Sequence, residues 1–256
     1  MKTYIIGNWK MNFTVNESSI YLHKLLKTIP NYRDLEIVVA PSLVSLQPLS
    51  LQLDRHKIKL AAQNCFYRDF GAFTGEISFN QLRGLVDYVI VGHSERRHIF
   101  HENDKDIQKK VAAAVRNRIT PILCLGEIES ERAFGETKDV IRDQLLGGLA
   151  NVSKEDIEKV IIAYEPVWAI SSTKAAKFAS PDEVREIVAL IRKLLSDTYS
   201  AEIAEKVPIL FGGSVNSSNA GAYLTVPGVN GLLVGGASLI LQEFSDIVET
   251  AKRVQS

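Results

Sequence analysis

Three side chains in this sequence are of the types that move a proton beside a carbonyl. Glu165 closes the apolar run "KVIIAYEP", and an ionised carboxylate seldom ends a buried run without a task. It supplies a general base. His93, after the run "YVIVG", supplies a donor or acid near neutral pH. Lys10, in "GNWK" beside Asn8, supplies a fixed cation. Two glycine pairs complete the set: Gly212-Gly213 before Ser214, and Gly235-Gly236 in "GGAS". Such turns let backbone N–H groups approach a phosphate, above all where one opens a short helix. The combination reads as proton abstraction on a small phosphorylated substrate.

Taken singly, each residue has a plainer reading. Lys10 is then a solvated charge, His93 a hydrogen-bonded core histidine, Glu165 a loop cap, and the glycines tight turns. His98 and His101 stand beside Arg96, Arg97 and Glu102, which makes a solvated face a better reading than a metal site. What favours chemistry is the placement of the candidates, each at the end of an apolar run.

Those runs organise the chain. "TYIIGN" (from Thr3), "LEIVVAP" (Leu35), "IKLAAQN" (Ile58), "YVIVGHS" (Tyr88), "TPILCLGE" (Thr120), "KVIIAYEP" (Lys159), "VPILFGG" (Val207) and "VNGLLVGG" (Val229) are rich in β-branched residues. They lack polar alternation, as parallel strands buried on both faces do. Between them lie amphipathic stretches of helical period, including Asp104 to Arg118 and Asp182 to Tyr199. Strand and helix alternate at roughly the 30-residue spacing of a βα unit. The predicted fold is therefore α/β, a single (β/α)8 TIM barrel forming one domain over residues 1–256. The dinucleotide fingerprint GxGxxG follows none of the runs, which weakens an open-sheet alternative. In a barrel of this kind the C-terminal ends of the strands share one face, so Lys10, His93, Glu165 and both glycine turns converge.

Composition narrows the partners. Thirty Lys and Arg residues balance thirty Asp and Glu, without the basic footprint of a nucleic-acid binder. No apolar run approaches membrane-span length. Cys65 and Cys124 lie in no metal-ligand spacing and read as reduced thiols, the habit of a cytoplasmic protein.

The stretches "GNWKMN", "AAQNCF", "GAFTGEIS", "VGHSERR", "AYEPVWAI", "FGGSV" and "GLLVGGASL" together resemble the triosephosphate isomerase family, in order, from Thr3 to about Leu239. The resemblance implies interconversion of dihydroxyacetone phosphate and glyceraldehyde 3-phosphate without metal or organic cofactor. It implies Glu165 as the base and His93 as a neutral electrophile, since "SERRHIF" reads as a helix start that disfavours imidazolium. Lys10 then stabilises negative charge, Asn8 holds a substrate oxygen, and Glu95 is a further active-site carboxylate. Phosphate would meet Asn8, Lys10 and the backbone N–H groups of Ser171, Ser214, Gly235 and Gly236. A homodimer is implied as well, with Thr74 reaching the neighbouring active site and Glu76 pairing with the neighbour's Arg97.

The resemblance also implies a lid over about 169–179, hinged at Pro166-Val167-Trp168. Here the chain departs from the family. Ser171, Ser172 and Thr173 stand where two glycines are usual, and residues are added near Lys177-Phe178-Ala179. Ser180-Pro181-Asp182-Glu183 reads as a capping box that restarts a helix. Phe211 replaces a tyrosine whose hydroxyl would bond the closed lid.

Overall fold

The apolar runs pair as expected into a closed parallel barrel of eight strands in sequence order. In this computed structural model, which describes residues 2–170 and 178–255, the strands are β1 (Thr3–Asn8), β2 (Leu35–Ala40), β3 (Lys59–Ala62) and β4 (Tyr88–Val91). They continue with β5 (Thr120–Leu125), β6 (Ile161–Tyr164), β7 (Ile209–Phe211) and β8 (Gly231–Val234). β1 closes the ring on β8 through Tyr4↔Gly231 to Gly7↔Val234. The lid expected over about 169–179, including Ser171, falls mostly outside the described residues.

The missing polar alternation has a direct cause. Successive side chains on a strand point to opposite faces, and here both faces are buried. Ile6, Val38, Ile90, Ile122, Ala163, Leu210 and Leu233 fill the barrel interior. Their neighbours Ile5, Val39, Val89, Leu123, Ile162, Phe211 and Leu232 face the surrounding helices.

Helix ends obey their local chemistry. The helix Asp104–Arg116 stops short of the predicted Arg118, because Asn117 caps it and Arg118 takes a left-handed φ of 60°. The helix Pro181–Thr198 starts where the capping box predicts: Ser180 accepts the Glu183 N–H, and the Glu183 side chain accepts from Ser180. The short helix Ser94–His98 begins directly after His93.

Candidate active site

Five strands, β1, β4, β6, β7 and β8, deliver the candidate residues to one end of the barrel. Asn8 ends β1, and the chain then turns sharply at Lys10, whose φ of 52° is left-handed. A non-glycine residue pays for that backbone with steric strain of about 1–2 kcal/mol. Local bonds hold the turn: Asn8 Oδ1 accepts the Lys10 N–H at 3.1 Å, and Gln63 Nε2 donates to the carbonyls of Lys10 and Ala40, each at 2.8 Å. The result aims Lys10 Nζ at Glu95 Oε1, 2.7 Å away.

His93 links that cation to Glu165. Its Nδ1 accepts the Glu95 backbone N–H at 3.2 Å, so this nitrogen carries no proton and the ring is the Nε2–H tautomer. Nε2 lies 3.3 Å from Glu165 Oε1. Burial lowers the His93 pKa, but the adjacent Glu165 carboxylate more than offsets it and leaves the group above its ordinary value. Burial raises the Glu165 pKa, yet His93 and then Lys10 bring it below the usual carboxylate range. The upward pull on His93 thus depends on Glu165 staying beside it. The bond at Nδ1 favours neutral imidazole, and it does not depend on Glu165. Glu165 Oε2 is buried with no hydrogen-bond partner.

Two glycines make room for Glu165, one beside its side chain and one beside its backbone. A Cβ on Gly212 would come within 2.7 Å of Glu165 Cγ, and one on Gly126 within 1.9 Å of the Glu165 carbonyl oxygen. Gly235 packs beside Lys10, and Gly236 opens the short 3-10 helix Gly236–Leu239. Asn8, Lys10, His93, Glu165, Ile170, Gly212, Gly213 and Gly235 therefore line one small recess. It brings together a carboxylate, an imidazole, an ammonium and glycine-rich backbone.

Sequence comparison bears on the same residues. The triosephosphate isomerase family profile matches residues 3–251. The chain is 42% identical over 250 residues to a triosephosphate isomerase of Clostridium perfringens (strain 13 / Type A), covering 97% of this chain and 99% of the relative. It is 41% identical over 253 residues to that of Chloroherpeton thalassium, covering 98% and 99% of the two chains. For Dictyoglomus thermophilum the identity is 42% over 247 residues, covering 96% and 98%. This chain belongs to the triosephosphate isomerase family.

Within that family frame, the remaining expected residues stand as follows. Ser171 lies outside the described residues. Ser214 turns its N–H to the Ala169 carbonyl at 2.9 Å, so it must release that bond before meeting a phosphate. Thr74 and Glu76 sit on a fully exposed stretch, 71–76. Arg97 is held within its own chain, by the Gly92 carbonyl at 2.7 Å, Asp104 at 2.6 Å and the Cys124 carbonyl at 3.2 Å.

Sequence reading passed over four residues that support the site. Gln63 holds the Lys10 turn. Glu127, fully buried, accepts from Trp168 Nε1 at 2.8 Å and from the Tyr164 hydroxyl at 3.2 Å, and its carbonyl accepts the Val167 N–H. Arg132 lies 3.9 Å over the Trp168 ring and also pairs with Glu183. Glu127 closes run five just as Glu165 closes run six, so the signal was present in the sequence. The fourth is Tyr223, whose hydroxyl donates to the Ala179 carbonyl at 2.8 Å. No local pattern marks it.

Proposed function

We propose that the chain interconverts dihydroxyacetone phosphate and D-glyceraldehyde 3-phosphate by proton transfer through an enediolate. The observation that carries this reading is Glu165: a buried carboxylate with one oxygen unpartnered and the other set against the Nε2–H of a histidine. Binding brings the carboxylate to substrate C1, from which it takes a proton. The negative charge that develops on the carbonyl oxygen is stabilised by Lys10 Nζ and by the Nε2–H of His93. His93 moves a proton between the two substrate oxygens, and Glu165 returns its proton to C2. Substrate and product are isomers, so no electron or group leaves and no cofactor is called for. Asn8 and Glu95 hold the polar surroundings of Lys10, with Glu95 exchanging Lys10 for the substrate as the ligand arrives. The amides of Ser171, Ser214, Gly235 and Gly236 receive the phosphate, under the lid that the family resemblance assigns to about 169–179.

The active unit is a homodimer in this reading. Thr74 and Glu76 lie on an exposed stretch, and exposed Met11 and Phe100 flank the cleft of about 430 Å³ running from Lys10 towards Glu76. The protein is cytoplasmic and acts on a small metabolite, with neither nucleic acid nor membrane as partner. Among the described residues no helix is long and apolar enough to cross a bilayer.

A coupled assay with glyceraldehyde 3-phosphate tests the reading. Glu165→Asp retracts the carboxylate by about 1 Å, a displacement that costs on the order of a hundredfold in rate. A rate close to that of the unmodified protein would remove Glu165 from the role of base.

A further inference from the structure

The strand that ends in Glu165 leads into a connection whose two ends are tied to the same neighbouring loop. At the near end, the Ala169 carbonyl accepts the Ser214 N–H at 2.9 Å and the Ser214 hydroxyl at 2.8 Å. At the far end, the Ala179 carbonyl accepts the Tyr223 hydroxyl at 2.8 Å. Ser214 and Tyr223 both belong to the link between β7 and β8, Tyr223 from the short helix Ala220–Leu224.

That link is a stiff frame. The Asn216 side chain accepts the N–H groups of Ser218 and Asn219 at 3.0 and 3.1 Å, while Asn219 Oδ1 accepts the Asn216 N–H at 2.9 Å. Asn219 Nδ2 then donates to the Ser214 carbonyl at 2.9 Å, joining the helix to the first anchor. Tyr223 itself is 3% exposed, and its ring lies 4.2 Å from that of Phe211 on β7. Packing fixes the ring, and the fixed ring aims the hydroxyl. A leucine would fill the same space, so what tyrosine adds is the bond to Ala179. This residue directly precedes Ser180, the cap of the helix Pro181–Thr198.

We infer that Tyr223 is a positioning residue for the isomerase reaction. Its hydroxyl holds the far end of the 170–179 connection on the same frame that holds the near end. It thereby fixes the backbone at Ala179 on the frame that also carries Ser214, one of the proposed phosphate-binding amides. The inference rests on the isomerase reading above and adds to it a residue that touches neither substrate nor base.

Tyr223→Phe in the full-length protein keeps the ring and its contact with Phe211 and removes only the bond. Two substrates separate positioning from plain packing: glyceraldehyde 3-phosphate, and glyceraldehyde, which lacks the phosphate. The expected result is a fall of about tenfold in kcat/KM for the phosphorylated substrate, the factor that follows from losing one good hydrogen bond. The value for glyceraldehyde stays unchanged, and amide hydrogen exchange at residues 178–180 becomes faster. Unchanged kinetics on both substrates, or an equal fall on both with a lowered Tm, overturns the inference and leaves Tyr223 as core. An unmodified protein inactive on both substrates defeats the isomerase reading instead. Hydrogen exchange then judges the anchor alone: unchanged exchange at 178–180 in Tyr223→Phe rejects it, and faster exchange upholds it.

Discussion

Glu165 Oε1 rests 3.3 Å from His93 Nε2, both side chains being buried. The carboxylate is thus held against the imidazole, with its second oxygen left unpartnered. A ligand that draws Glu165 away also removes the carboxylate that raises the His93 pKa. The bond from the Glu95 amide to Nδ1 remains, and it favours the neutral ring. One movement therefore frees the base and readies the histidine to donate.

The pair should leave a signature in stability against pH. The Glu165 pKa is depressed in the folded state, so its contribution is present above the unfolded carboxylate value of about 4.3 and is lost as pH falls through the folded one. The His93 pKa is raised, so its contribution is present below the unfolded value of about 6.5 and fades as pH rises through the folded one. Relative to Glu165→Gln, the unmodified protein should fare best between about pH 4.5 and 6.5 and lose ground on either side. Thermal melts of both proteins across about pH 4 to 8 read this directly. A Tm difference that ignores pH would mean that the two groups do not interact.

Lys10→Met should separate activity from stability. The Lys10–Glu95 pair is partly exposed, at 21% and 31%, and such pairs contribute about 0–1 kcal/mol. Loss of a cation that meets developing charge costs on the order of a hundredfold or more in kcat. A variant that unfolds, or that keeps its kcat and KM, would make Lys10 structural.

Gly212→Ala tests the fit of the base. The added Cβ meets Glu165 Cγ at 2.7 Å in a buried site, so the carboxylate has to move. Overpacking of this kind costs about 1–3 kcal/mol, and the displaced base should lower kcat by on the order of a hundredfold. Full activity would show that Glu165 has slack in its slot.

Much of the fold could be read from the chain because its signals are local. Eight β-branched runs become eight strands, and Ser180 to Glu183 start their helix where the capping box says. Errors fall at ends where a local event intervenes. β6 starts at Ile161 because Lys159 belongs to a 3-10 turn, and β7 starts at Ile209, after the proline that has no N–H. That Lys10, His93, Glu165 and the glycine turns share one recess was legible for the same reason, each closing a run. Glu127 carried the same signal at the end of run five and was passed over, whereas Gln63 and Tyr223 escaped because their partners lie distant along the chain, which no periodicity records.

Arg192 offers a stability test away from the site. Its guanidinium donates to the carbonyls of Ala204, Val207 and Gly228 and to Asn230 Oδ1, and none of these acceptors is charged. Burial lowers its pKa, and the buried Nε has no partner. Asn230 Oδ1 accepts from both Arg192 and the Ile209 N–H, so a carboxylate fits the same donors. Asn230→Asp should raise stability by about 1 kcal/mol, through a charge-assisted bond. For a chain of this size that is a gain of about 2–4 °C in Tm. The new carboxyl has a depressed pKa, so the gain should vanish as pH falls below about 4. A lower Tm at neutral pH would mean that desolvation of the carboxylate outweighs the bond.

The left-handed backbone at Lys10 sets what selection can do at this position. Glycine would relax the turn at once, and any screen for thermal stability alone should favour it there. The relaxed chain would fold at least as well and would lack the ammonium. On the proposed reaction, the strain at Lys10 is a folding cost carried for the sake of its ammonium. In a library sorted first for Tm and then for turnover, residue 10 is where the two rankings should disagree most sharply.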